Sequence, residues 1–209
     1  MSIIAIIGNK GGTGKTTLAL NLAAGIARRR RVAIVDADPQ QSAYQWRQVR
    51  GEDPSLPTVV AAAAGLDQSV EALLHAFADV ILDCPPSIKA PQTERALRLA
   101  DHALIPVQPS PMDLWAAAGI ARVIDGLRPQ NPRLRALLVM SQTEPNTTLS
   151  RLMPGALAEL ELPVANSAVQ RRAIHRHCVL EGRTVFHAGR RGAAAAAEID
   201  ALIDEVFSA

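Results

Sequence analysis

The stretch Ile3-Ile4-Ala5-Ile6-Ile7, followed by Gly8-Asn9-Lys10-Gly11-Gly12-Thr13-Gly14-Lys15-Thr16-Thr17, decides the reading of this chain. A short continuous apolar run that stops at a glycine is the pattern of a strand buried on both faces. Beyond the loop, Leu18, Leu22 and Ile26 fall at i, i+4 and i+8, one stripe of an amphipathic helix. Strand, glycine loop and helix follow in the order a phosphate cradle requires. Glycines let consecutive backbone N–H groups turn inward, and the helix N-terminus adds the positive end of its dipole. Lys15 is placed to reach the β and γ oxygens and the Thr16 hydroxyl to ligate Mg²⁺. The expected phosphate-binding residues are therefore Gly11, Gly12, Thr13, Gly14, Lys15, Thr16 and Thr17. The ordinary pattern has glycine five positions before Gly14; here that position is Asn9, and a second lysine, Lys10, opens the loop.

The same signals repeat along the chain. Val32 to Val35, Val80 to Leu82, Ala103 to Val107 and Leu134 to Met140 are further buried-strand candidates, with Thr58 to Ala62 a weaker one. Val70, Leu73, Leu74 and Phe77 make one face of an intervening helix. Strands alternating with helices imply a mainly parallel, twisted α/β sheet covered on both faces, because each parallel crossover needs a connection of helix length. The Ala193 to Ala197 run leads into Ile199, Leu202, Ile203 and Val206 at helical spacing, which predicts a C-terminal docking helix. No repeat or long linker divides the chain, so 1–209 is expected to be a single P-loop NTPase domain. At 209 residues, 48% of them hydrophobic, it is long enough to bury roughly 70% of its unfolded surface.

Composition narrows the function classes. No positive n-region precedes the first strand and no apolar run reaches the roughly 20 residues that span a bilayer, so export and membrane insertion are not expected. Cys84 and Cys178 lack disulfide-framework or zinc-ligand spacing, which makes a reducing cytosol the default. Cys84 has no adjoining base and reads as core packing rather than as a nucleophile. The net charge of +2 is unevenly spread: Arg28 to Arg31 form a block, and Arg171, Arg172, Arg176, Arg183, Arg190 and Arg191 crowd the last quarter. Aromatic residues at 3% argue against a surface that stacks single-stranded bases.

Three carboxylates stand where a phosphate site needs them. Asp36 and Asp38, in Val35-Asp36-Ala37-Asp38-Pro39-Gln40, close the second strand, and carboxylates at strand C-termini of an open α/β sheet face the ligand crevice. Asp83, in Val80-Ile81-Leu82-Asp83-Cys84-Pro85-Pro86-Ser87, stands among apolar residues, where its burial is costly unless a cation or hydrogen bond compensates it.

Lys10-Gly11-Gly12-Thr13-Gly14-Lys15-Thr16-Thr17 resembles the deviant Walker A signature K-G-G-x-G-K-T-[ST] of the ParA/MinD superfamily. Asp36 to Gln40 is similar to that family's D-x-D-P-Q segment, and Asp83 to Pro86 to its D-x-P-P segment. Leu104 to Leu114 is similar to the P-V-x-P-S-P-x-D segment of the short, ParF-like ParA partition ATPases. The resemblance implies an ATP hydrolase of weak basal activity, with ATP and Mg²⁺ as cofactors and Lys10, Lys15 and Asp38 as catalytic residues. In it Lys10 crosses into the partner subunit's nucleotide in an ATP-dependent homodimer, Asp38 orients the attacking water, and Thr16, Asp36 and Asp83 serve the metal. In some relatives the adenine is read after the strand that corresponds to Leu134–Met140, usually through asparagine or aspartate. Here that stretch is Ser141-Gln142-Thr143-Glu144-Pro145, and no base-reading residue is named.

The function implied is that of a cytoplasmic, nucleoid-associated positioning protein. Its dimer binds nonspecific DNA, with Arg171, Arg172, Arg176, Arg190 and Arg191 as candidate contacts. A ParB-like or other small activator then stimulates hydrolysis, and the cargo is a plasmid, a chromosome locus or a protein organelle or cluster. The chain starts directly at its first strand, without the helix-turn-helix extension of longer plasmid ParA proteins, so operator repression is not expected. The alternatives are a MinD-like membrane-cycling regulator and a metabolic P-loop enzyme. The first wants a basic amphipathic C-terminal helix, whereas Glu198, Asp200, Asp204 and Glu205 make this one acidic before Val206-Phe207-Ser208-Ala209. The second wants cluster-ligating cysteines or an acceptor-binding lid.

Overall fold

The computed structural model describes residues 1–62 and 65–208, so Ala209 of the expected C-terminal stretch lies outside the described residues. Strands and helices alternate: β1 (Ser2–Ile6), α1 (Lys15–Ala27), β2 (Val32–Asp36), α2 (Ser42–Gln48), β3 (Thr58–Ala61), α3 (Leu66–Leu74), β4 (Asp79–Asp83) and α4 (Pro91–Leu99). They continue with β5 (His102–Val107), α5 (Pro111–Leu127), β6 (Arg135–Thr143), α6 (Thr148–Ala158), β7 (Val169–Gln170), α7 (Ala173–Leu180) and α8 (Ala193–Ser208). The seven strands form one sheet in the order β3-β2-β4-β1-β5-β6-β7, and every pairing is parallel. All six expected strand segments are present. The seventh, β7, is a two-residue edge strand, too short to leave a periodic signal, and the sequence reading missed it.

Both sheet faces are dry, as the continuous apolar runs require. Side chains alternate along a strand, so Ile4 and Ile6 enter one core while Ala5 and Ile7 enter the other. Helices α3, α4, α5 and α6 cover the second face, and α1, α2 and α8 the first. Phe77 falls outside the helix it was expected to extend: α3 ends at Leu74, and Phe77 instead donates its N–H to the Leu73 carbonyl in the turn that follows.

Helix α8 docks through its acidic residues. Arg28 holds both carboxylate oxygens of Asp200, at 3.0 and 2.9 Å, and Arg29 donates to Asp204 at 2.8 Å. Arg172 pairs with Glu198 at 2.6 Å, and Glu205 accepts the backbone N–H groups of Asn166 and Ser167. Arg30 reaches the buried Asp79 at 2.9 Å and lies over the Phe207 ring, while Arg31 lies over Phe77. The basic block 28–31 is thus engaged within the domain.

Buried Asn21 ties α1 to the segment before α8, accepting the Val185 N–H at 3.0 Å and donating to the Thr17 carbonyl at 2.7 Å. Gly192, one residue ahead of α8, sits against the same segment, and a Cβ there would overlap the Val185 carbonyl oxygen. Backbone cannot rotate away as a side chain can. We predict that Gly192→Ala lowers stability by about 1–3 kcal/mol, read as a shifted urea midpoint at unchanged slope; an unaltered midpoint would contradict this close approach.

Candidate functional site

Strands β1 and β4 are neighbours whose onward crossovers run to opposite sides of the sheet, β1 to β2 and β4 to β5, so their C-terminal ends open on the crevice where open α/β sheets bind ligands. The glycine loop fills that position. Gly12 and Gly14 have φ of +76° and +93°, left-handed values that a side chain would strain, and Gly14 starts α1 by accepting the Leu18 N–H at 2.8 Å. Thr16, Thr17, Gly11, Gly12, Gly14 and Lys15 line one cavity of about 540 Å³. Thr13 is buried beneath the loop, and its hydroxyl has no hydrogen-bond partner among the described residues.

The two lysines of the loop are both engaged. Lys15, 7% exposed, donates from Nζ to the Lys10 carbonyl at 2.9 Å. Burial lowers its pKa, opposed by the nearby Asp83 and Asp38 charges. Lys10 reaches out to Asp113 at 3.4 Å.

Asp36 and Asp83 are direct neighbours across the β2–β4 ladder, which places both carboxylates at the strand ends beside the loop. Their surroundings differ. Asp36 accepts the Asp38 N–H at 3.1 Å and the Tyr44 N–H at 2.9 Å, so its oxygens hold the turn into α2, although burial raises its pKa. Asp83 is 1% exposed, and neither of its oxygens has a hydrogen-bond partner among the described residues. Burial lifts its pKa from 3.8 to about 7, against the pull of the Thr16 hydroxyl and Lys15. Asp38 lines the cavity on its own turn, and its side chain accepts the Gln40 N–H at 2.9 Å. Cys84 is fully buried, and desolvation pushes its thiol far above the ordinary range, consistent with packing.

An orphaned, buried carboxylate next to a threonine hydroxyl and a lysine fits a hard cation that arrives with a phosphate. Among the described residues no group of three or more His, Cys, Asp or Glu side chains could hold a metal. Mg²⁺ keeps several waters and takes few protein ligands besides substrate phosphates. Thr16 and Asp83 are the side chains that fit it directly. Asp36 is committed to backbone N–H groups and fits only an outer position.

Several contributors escaped the sequence reading. Gln108 and Gln142 both donate to the Gly12 carbonyl, at 2.9 and 2.8 Å, and Ser141 donates to the Thr13 carbonyl at 3.3 Å. Gln142 has φ +52°, a left-handed backbone unusual for a side-chain residue and of the kind that gathers at functional sites. Asn9, the departure from the ordinary motif, accepts the Ile88 N–H at 3.4 Å and so links the loop to the Asp83 segment. Gln108, Ser141 and Gln142 sit at strand ends, the one signal that could have found them. Of the five arginines expected at a DNA surface, Arg171, Arg172 and Arg176 line the phosphate cavity, with Arg171 paired to Glu144 and Arg172 to Glu198. Arg190 and Arg191 lie apart from them in the turn before α8, exposed and without an ion-pair partner among the described residues.

The buried Asp83 sets a pH dependence. Its folded pKa of about 7 lies above the unfolded 3.8, so the unfolded chain binds fewer protons between those values and stability falls as pH rises through that window. Asp83→Asn should therefore stabilise the nucleotide-free protein at pH 8 by on the order of 2–4 kcal/mol and flatten the decline between pH 4 and 7. Urea unfolding across pH checks this, and an identical slope in the variant would refute it.

The family profile described as "CobQ/CobB/MinD/ParA nucleotide binding domain" matches residues 4–185. The chain is 38% identical over 206 residues to Maintenance of carboxysome distribution protein A of Halothiobacillus neapolitanus, covering 98% of this chain and 95% of that one. It is 36% identical over 168 residues to the chromosome-partitioning ATPase Soj of Thermus thermophilus, 66% of this chain and 67% of that one. In structure it is similar to cobyrinic acid a,c-diamide synthase from Mycobacterium smegmatis with bound ATP analogue and magnesium, with TM-score 0.76, 26% identity and coverage of 97% and 94%. With a profile matched over most of its length and a 38%-identical relative aligned almost end to end, the chain belongs to the ParA/MinD/CbiA family of P-loop ATPases.

Proposed function

We propose that this protein is an ATP-hydrolysing positioning protein whose ATP-bound homodimer holds DNA nonspecifically and is released when a partner protein stimulates hydrolysis. The observation that carries the reading is Lys10 ahead of a complete phosphate cradle, in a chain that matches a carboxysome distribution protein over 98% of its length. Among the cargoes open to such proteins, that likeness favours a protein organelle over a plasmid or chromosome locus.

Phosphoryl transfer needs positioning and charge neutralisation more than covalent help from the protein. The loop N–H groups and Lys15 hold the phosphates, and Lys10 of the facing protomer adds a second positive charge at the γ-phosphate. Asp38 holds the attacking water in line. Thr16 and Asp83 would hold Mg²⁺, which when bound would supply charge neutralisation for the phosphates. Few groups act directly on the water, which fits a slow basal rate that a partner accelerates.

The DNA surface is best assigned to Arg190 and Arg191, because Arg171 is paired with Glu144 and Arg172 is held by Glu198 inside the fold. Two copies of a modest patch multiply phosphate contacts on dimerisation, and each phosphate contact contributes roughly 0.9 to the slope of log affinity against log salt. The membrane-cycling reading draws no support from α8, whose acidic residues face Arg28, Arg29 and Arg172. No described helix is long and apolar enough to cross a membrane.

Three outcomes are expected. Lys10→Ala should keep nucleotide binding and lose ATP-dependent dimerisation and stimulated hydrolysis, and full activity in that variant would remove the trans-lysine role. Asp38→Ala should accumulate an ATP-bound dimer, visible by sedimentation, whereas normal turnover would dismiss Asp38 as the water-positioning group. Purified protein with ATP should bind DNA in a salt-sensitive way, with ADP much less, and anionic vesicles not at all; Arg190→Glu with Arg191→Glu should weaken the DNA binding and shallow its salt slope. Vesicle binding alone would favour the membrane regulator, and binding to neither a metabolic enzyme.

A further inference from the structure

Lys10 is held on its own protomer. Its Nζ donates to Asp113 Oδ2 at 3.4 Å, with the lysine side chain 35% exposed and the aspartate 11%. The aspartate is fixed before the lysine reaches it. Asp113 stands in the first turn of α5, donates its N–H to Ser110 Oγ at 3.1 Å, and accepts the Ser110 hydroxyl on the same Oδ2. The helix N-terminus favours the ionised carboxylate at that place. Lys10, by contrast, is a compact charge on a flexible four-carbon stem, so it is the partner that moves. Its backbone is restrained as well, since its carbonyl accepts the Lys15 ammonium.

We propose that Asp113 is a positioning residue that clamps Lys10 in cis, so that opening this ion pair is part of forming the ATP-dependent dimer. The proposal rests on the trans role assigned to Lys10 above. One ammonium cannot lie against Asp113 and against a neighbour's phosphates at once, so the two states compete. A symmetric dimer must free two lysines, and the bias enters as its square. A partly exposed ion pair shifts a population about two- to five-fold, which makes the effect on the dimerisation constant roughly four- to twenty-five-fold. Salt screens such a pair, so the effect shrinks as ionic strength rises.

The test uses the full chain with Mg²⁺ and a non-hydrolysable ATP analogue, and measures the dimer dissociation constant by sedimentation. Asp113→Asn, which keeps the shape and the acceptor for Ser110, should tighten the dimer within that range at low salt and converge with the parent protein at about 1 M salt, where the Debye length is roughly 3 Å. Asp113→Glu keeps the charge and should stay near the parent. In the nucleotide-free protein, acylation of Lys10 by an amine reagent, followed by mass spectrometry, should be faster in Asp113→Asn and not in Asp113→Glu. An Asp113→Asn protein with a normal urea midpoint, unchanged Lys10 acylation and an unchanged or weaker dimer would overturn the clamp. Lys10→Ala that dimerises like the parent would instead overturn the trans reading, while the acylation arm still reports whether the clamp exists.

Discussion

A buried carboxylate whose desolvation outweighs the help of its neighbours closes β4. Asp83 ends β4 with both oxygens buried and unpaired among the described residues, and its pKa rises to about 7 because desolvation outweighs the help of Thr16 and Lys15. Lys15 is pulled the opposite way by the same burial. Burial disfavours the charged form of both groups, and the proposed metal with its phosphate oxygens would relieve both. The sheet explains why the discomfort is tolerated. Parallel strands covered on both faces leave water access only at their ends, so a charge at a strand C-terminus is at once poorly hydrated and next to the crevice.

Around that centre, three of the loop's carbonyls are satisfied. The Gly12 carbonyl takes two side-chain amides, Gln108 and Gln142, the Thr13 carbonyl takes Ser141, and the Lys10 carbonyl takes Lys15. The loop is held in shape by Gln108, just past β5, and by Ser141 and Gln142 of β6. Such support lets a glycine-rich segment, costly to order on entropic grounds, keep one conformation before ligand binds.

What was legible in the sequence follows from the range of each interaction. The loop from Gly8 to Thr17 is read from neighbours in the chain, because its backbone geometry and its helix are local. Asp36 and Asp83 were legible as strand-end carboxylates because each closes an apolar run, and a parallel sheet aligns such ends, with Asp38 two residues beyond Asp36. The parts that were missed depend on contacts the chain makes only after folding. Gln108, Ser141 and Gln142 look like ordinary polar residues after strands, and Asn9 like a lapse in a motif, until the Gly12, Thr13 and Ile88 groups come within reach. β7 is too short for periodicity to mark.

The arginines show the same limit for charge. Read along the sequence, Arg28 to Arg31 is a denser basic block than the pair Arg190 and Arg191, and it would be the stronger claimant to a polyanion. Folding reverses the order. Asp200 and Asp204, more than 170 residues away, neutralise Arg28 and Arg29, Asp79 takes Arg30, and Phe77 lies under Arg31. Each of those groups also fastens an element, α8 or the start of β4, so the block serves the fold. Arg190 and Arg191 form no ion pair among the described residues and stay exposed. A net charge of +2 therefore says little about the proposed DNA surface, because most of the arginines are paired within the fold. The charge that matters for a distant partner is what remains after α8 has docked.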